Sequence, residues 1–99
     1  MSTPSKVYFT RQLTPEALVR TYEVLGVPAT GRVAVKISTG EPGGHNYLKP
    51  ELIKDLVQKV NGTIVESNTA YNGKRLKTED HYKTCESHGF TAIAKCDIL

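Results

Sequence analysis

The stretch from Arg32 to Tyr47, Arg-Val-Ala-Val-Lys-Ile-Ser-Thr-Gly-Glu-Pro-Gly-Gly-His-Asn-Tyr, constrains the fold more than any other part of the chain. Val33, Val35 and Ile37 alternate with Ala34, Lys36 and Ser38, the period-2 pattern of a strand with one strongly apolar face. Gly40, Pro42, Gly43 and Gly44 follow, so the strand must run into a loop whose backbone takes tight-turn and left-handed conformations. A helix is expected to begin near Pro50. Strand, glycine-rich turn and helix in that order direct free backbone N–H groups and a helix N-terminus towards one point, which suits an anion.

The same two periodicities alternate on either side of this unit. Lys6–Arg11 is rich in β-formers and predicts a first strand. Thr14 suits an N-cap, Pro15 the first helical position, and Glu16 complements the helix dipole. Leu18, Tyr22 and Leu25, with Ala17 and Val24 flanking, form a core-facing stripe that Gly26 and Pro28 bring to an end. The helix from Pro50 to about Val60 carries Leu52, Ile53, Leu56, Val57 and Val60 on one face, and Asn61-Gly62 stops it. Thr63–Ser67 predicts a third strand, which enters a second polar loop, Asn68-Thr-Ala-Tyr-Asn-Gly-Lys-Arg75. Thr78 is expected to cap a third helix reaching about His88, with Glu79 and Asp80 in its first turn and Gly89 at its stop. Phe90–Leu99 predicts a fourth strand.

Such alternation generates right-handed βαβ units. The expected fold is therefore a single three-layer α/β domain over residues 1–99, with a mostly parallel sheet of about four strands alternating with three helices. In sheets of this kind ligands bind outside the carboxyl ends of the strands, where the loops 39–48 and 68–77 both fall.

A chain of 99 residues makes one domain, and 38% hydrophobic with 23% charged residues fits an ordinary globular protein. The 13 basic residues behind the net charge of +3 are scattered, without runs or interleaved aromatics, which argues against nucleic acid as a partner. Cys85 and Cys96 are too few and too far apart for a disulfide framework or a CxxC motif, so reduced thiols are expected. No apolar run reaches the length of a membrane span, and Met1–Lys6 lacks the apolar core of a signal peptide. A cytoplasmic location follows as the expectation, with no membrane partner and an idle glycosylation sequon at Asn61-Gly62-Thr63. The sequence given stops at Cys96-Asp-Ile-Leu99 inside an apolar strand. That suggests an N-terminal fragment of a longer protein, or an exposed edge strand through which the chain forms a homo-oligomer.

Six blocks in order carry a family likeness: Val33-Ala-Val-Lys-Ile-Ser-Thr-Gly-Glu-Pro-Gly43, Tyr47-Leu-Lys-Pro-Glu-Leu52, Glu66-Ser-Asn-Thr-Ala-Tyr71, Gly73-Lys-Arg75, Asp80-His81 and His88-Gly-Phe-Thr91. Together they resemble the family called domain of unknown function 362, over a span from about Val7 to Leu99. The resemblance implies the N-terminal portion of a longer cytoplasmic protein of iron–sulfur association, since many relatives carry a ferredoxin-type four-iron, four-sulfur module. These residues contain no CxxCxxC spacing, so any such cluster would lie in a C-terminal part beyond Leu99 and no cofactor is expected within the chain itself.

The candidate ligand-binding residues fall on the two loops. In the first, Thr39, Gly40, Glu41, Gly43, Gly44 and Asn46, with Lys36 at the strand end, are placed to hold a phosphate or carboxylate, or else simply to make a tight turn. The loop fits neither GxGxxG nor GxxxxGK[ST], so a nucleotide-specific reading fails on spacing. Glu41 would repel an anion, yet suits a cation such as magnesium. In the second loop Asn68, Thr69, Tyr71, Asn72 and Arg75 offer mixed hydrogen-bonding groups, and Arg75 is able to grip a carboxylate or phosphate with two bonds. His81, Cys85 and His88 at i, i+4 and i+7, with Cys96 as a fourth group, imitate a metal site, but core packing and capping are the expectation and no metal ligand is assigned. No nucleophile–base pair is legible, and whether the chain is an enzyme stays open. The leading expectation is the small-anion or cofactor-binding part of an iron–sulfur-associated redox protein. The alternatives are a stand-alone module for a phosphate-bearing small molecule and a non-catalytic interaction scaffold.

Overall fold

A computed structural model describes residues 3–99, so Met1 and Ser2 of the polar lead lie outside the described residues. Helix α1 spans Pro15–Val24, strand β1 Val33–Lys36, helix α2 Pro50–Lys59, strand β2 Gly62–Glu66 and helix α3 Thr78–Ser87. A single 3-10 turn, Phe90–Ala92, then leads into strand β3, Cys96–Ile98. Thr14 caps α1 as its chemistry dictates, its Oγ1 accepting from the Ala17 N–H at 3.1 Å. In α2 Glu51 sits in the first turn and Lys59 in the last, each complementing the dipole, and Ile53 and Val57 are buried on the expected stripe. Asn61, at φ 52°, turns the chain out of that helix. Helix α3 departs from expectation by one residue. Lys77 takes the N-cap position without a side-chain bond, Thr78 is the first helical residue, and its Oγ1 accepts from Asn68 Nδ2 at 2.9 Å instead.

The sheet is parallel throughout, in the order β1-β2-β3. Its register pairs Val35 with Ile64 and Ile64 with Cys96, so these three side chains project to one face. On that face Ile37, Ile53, Val57, Ile64 and Phe90 form the buried core, with Leu18, Val35, Tyr47, Leu52 and Cys96 packed around it. Both crossovers step in the same direction along the sheet, and right-handed connections then bring α2 and α3 to the same side. Gly62 lets α2 and the two strands close up, since a Cβ there would lie 2.7 Å from Val35 Cγ2.

Three expectations need correction. Lys6–Arg11 forms no strand; Val7 and Phe9 are 88% and 82% exposed, because β-propensity without a partner strand earns no ladder. The predicted strand Phe90–Leu99 shrinks to Cys96–Ile98, since Phe90 turns its ring fully into the core from the 3-10 turn. Among the described residues the sheet therefore has three strands rather than about four. The layers number two rather than three, because among the described residues no helix covers the reverse face. That face, with Ala34, Thr63, Val65 and Asp97, borders an open depression of about 790 Å³ that reaches the amino ends of the strands.

Candidate functional site

Strand β2 ends on a buried carboxylate. Glu66 shares the face of Ile64, where the pattern calls for an apolar residue, and is only 5% exposed. Its Oε2 accepts from the Thr39 N–H and from Thr39 Oγ1, both at 3.0 Å. Its Oε1 accepts from Lys36 Nζ at 3.2 Å and from the Ser67 N–H at 3.1 Å. Arg75 Nη1 stands 3.5 Å from Oε2 and His81 Nε2 at 3.3 Å. Burial alone would push the carboxyl's pKa up, but the two backbone N–H groups, the Thr39 hydroxyl and Lys36 outweigh it and bring the pKa down to about 2.

Behind this carboxylate, α3 supplies the floor. Asn68 donates its amide to Thr78, so its Oδ1 accepts from His81 Nδ1 at 3.0 Å. That bond makes Nδ1 a protonated nitrogen and leaves Nε2 facing Thr39 Oγ1 and Glu66 Oε2. Two turns on, His88 Nδ1 donates to the Thr39 carbonyl at 2.7 Å, and its ring stacks on Tyr47 with centroids 4.2 Å apart. Tyr47 in turn lies against Gly40, where a Cβ would come within 2.6 Å of the ring and where φ is +86°. Cys85 is buried beside Thr39, and burial raises its pKa; burial likewise pushes the Cys96 thiol up to about 11.

The outer layer joins the two loops. Arg75 Nη2 donates to Glu41 Oε1 at 2.6 Å and to Tyr71 Oη at 2.9 Å, while Tyr71 Oη donates to the same Glu41 oxygen. Arg75 Nη1 reaches Ser38 Oγ at 3.4 Å. The loop is held in shape by the Thr69 N–H on the Arg75 carbonyl and by Thr69 Oγ1 on the Tyr71 carbonyl. The bond from Arg75, and then that from Tyr71, holds the Glu41 carboxyl below its ordinary value. Burial would lower the pKa of Arg75, but Glu41 and Tyr71 raise it above the usual value. Arg75 Nε is buried and has no hydrogen-bond partner among the described residues.

The family model for a domain of unknown function, DUF362, matches residues 33–98. The chain belongs to the DUF362 family. In this DUF362 domain the matched span runs from the first residue of β1 to the last of β3 and contains every residue of the network above, whereas α1 and Lys6–Arg11 lie outside it. Neither a curated protein nor a solved structure matches the chain.

Of the residues singled out in the sequence, the DUF362 domain brings Lys36, Thr39, Glu41, Asn68, Tyr71 and Arg75 into one hydrogen-bonded cluster. Others sit apart from it. Gly44 uses its N–H on the Glu41 carbonyl at 2.9 Å, closing a turn, and Gly43 is exposed with open space around it. Asn46 is exposed and lines a shallow depression of about 470 Å³ with Ser38, His45, Tyr47 and Leu48. Asn72 is exposed, and Pro50 at the start of α2 lies against Gly89 rather than the glycine turn. His81, Cys85 and His88 all lie against Thr39, but among the described residues no three His, Cys, Asp or Glu side chains are arranged to hold a metal ion.

Sequence reasoning missed Glu66, the centre of the cluster, the bond that the Ser67 N–H makes to it, and the bond from Arg75 to Ser38. A signal was present: in the run Ile64-Val65-Glu66 an acidic residue occupies the same alternating face as a core isoleucine, at the carboxyl end of a strand.

Proposed function

We propose that this DUF362 domain binds a small molecule through its carboxylate or phosphate group on the Nε–Nη2 side of Arg75, which is buried in the closed site, and that Glu41 is a built-in occupant which the ligand displaces. The observation that carries this reading is the unpaired Nε. In a guanidinium, Nε–H and Nη2–H point the same way and form a side-on fork suited to two oxygens of one anion. Here a single Glu41 oxygen meets Nη2, and Nε is left without an acceptor among the described residues. An incoming oxyanion that engages both donors makes one more charge-assisted bond than Glu41 does.

Charge and exposure support the exchange. Lys36 and Arg75 balance Glu41 and Glu66, so moving Glu41 into water leaves one positive charge at the site. Glu66 is buried and held by several donors, whereas Glu41 is 47% exposed on a glycine-flanked loop and has solvent to move into. The depression beside Ser38, His45 and Tyr47 offers room for the rest of the ligand. The redox association implied by the family likeness is a proposal about residues beyond these. At neutral pH Cys85 and Cys96 are protonated thiols rather than ready thiolate ligands.

The test is a titration of isotopically labelled protein with inorganic phosphate and with succinate, followed by NMR. Saturable shifts are expected at the Gly40 and Gly43 amides and at the Arg75 Nε–H, and Arg75→Lys is expected to abolish them. Shifts that grow linearly with ionic strength, or that survive in the Arg75→Lys variant, contradict the proposal.

A further inference from the structure

The two edges of the sheet are chemically different. The Ile64 N–H donates to the Lys95 carbonyl and the Leu99 N–H to the Glu66 carbonyl, both at 2.8 Å. Ile64 and Glu66 therefore turn their backbone groups towards β3, and Thr63 and Val65 turn theirs towards β1. By the same alternation Cys96 and Ile98 face outward at the β3 edge, and Ala34 and Lys36 face outward at the β1 edge. The β3 edge is blunted, because the Ile98 N–H already donates to Tyr82 Oη of α3 at 3.2 Å. Among the described residues nothing pairs with the outer edge of β1, where Ala34 and Lys36 are exposed.

From this asymmetry we propose that β1 pairs with β1 of a second copy, antiparallel and centred on Val35, so that the two three-stranded sheets become one continuous sheet. The register follows from charge. A two-fold axis through Ala34 would set Lys36 against Arg32 of the second copy, and one through Lys36 would set the two Lys36 side chains against each other. Like charges directly opposite are unfavourable. An axis through Val35 sets Lys36 against Ala34 of the second copy at both hydrogen-bonded pairs, and uses the outward N–H and C=O of all four residues. On the other face it sets Val35 against Val35, and Val33 against Ile37. Val33 and Val35, only partly buried in the single chain, gain β-branched neighbours there.

Sedimentation equilibrium over a concentration series, on the full 99-residue chain, tests this. The expected result is a reversible dimer. Ala34→Glu places a carboxylate opposite Lys36 twice and tightens the dimer by roughly 2- to 30-fold, and Ala34→Lys weakens it by a similar factor, both effects shrinking in high salt. A monomer at every concentration, or a dimer indifferent to the sign of charge at position 34, overturns the proposal. Mild oxidation of Val35→Cys supplies a second reading, because non-hydrogen-bonded antiparallel pairs bring their side chains close. A disulfide linking position 35 of both copies is expected. A dimer that forms without that link places the interface elsewhere and overturns the register.

Discussion

Glu66 is the residue on which the carboxyl edge of the sheet depends, and its energetics fix how the protein responds to acid. Its folded-state pKa of about 2 lies below the ordinary value of 4.5, so the charged form is the one the fold favours. Its contribution is complete above about pH 4.5 and is lost as the pH falls towards 2, on the order of 3 kcal/mol in all. Urea denaturation at about pH 6 and about pH 3 is expected to show about 2 kcal/mol of that loss, the rest following only nearer pH 2. Glu66→Gln is expected to be less stable at neutral pH, because Lys36 and Arg75 lose their inner partner, and to show a flatter acid dependence. An unchanged acid slope in that variant would assign the effect to another carboxylate. The outer residues of the cluster were legible because loops advertise hydrogen-bonding side chains. Glu66 was not, because a carboxylate in a strand is ordinarily solvated, and only the long-range approach of Thr39, Lys36 and Arg75 makes this one buried.

At the scale of elements, what could be read from the sequence was what local chemistry decides. Helix α2 was legible almost to the residue, since proline, the apolar stripe and the Asn-Gly stop all lie within its segment or directly beside it. Strands depend on partners far away in the chain. Lys6–Arg11 has strand composition but no neighbour, and Phe90 left its apolar run because the core offered its ring a better place. The junction of α2 with the sheet is equally non-local, and Gly62 tests it. A Cβ there would meet Val35 Cγ2 at 2.7 Å and Val60 Cγ2 at 3.3 Å. Gly62→Ala is therefore expected to cost about 1–3 kcal/mol through overpacking, read as a lower midpoint in chemical denaturation. A midpoint equal to that of the parent protein would mean that β1 and α2 are not closed on each other as described.

For the whole molecule, parallel strands in simple sequential order explain why the site lies where it does. Hydrogen-bonded neighbours run side by side, so the loops that leave β1 and β2 emerge next to each other at the carboxyl end, and side chains from both meet over Glu66. The alternation of elements made that convergence legible. It could not reveal that the converging cations are already matched by two carboxylates of the chain, one buried and one half-exposed. The proposed binding site therefore turns on Glu41 as a competitor for Arg75. The most direct test is to compare phosphate affinity in the parent protein and in Glu41→Gln by calorimetry at low ionic strength. Removing the competing charge should tighten binding by about tenfold, the equivalent of one charge-assisted hydrogen bond regained. Equal or weaker binding in Glu41→Gln would mean that Glu41 is a structural tie between the loops, and the proposed exchange at Arg75 would be wrong.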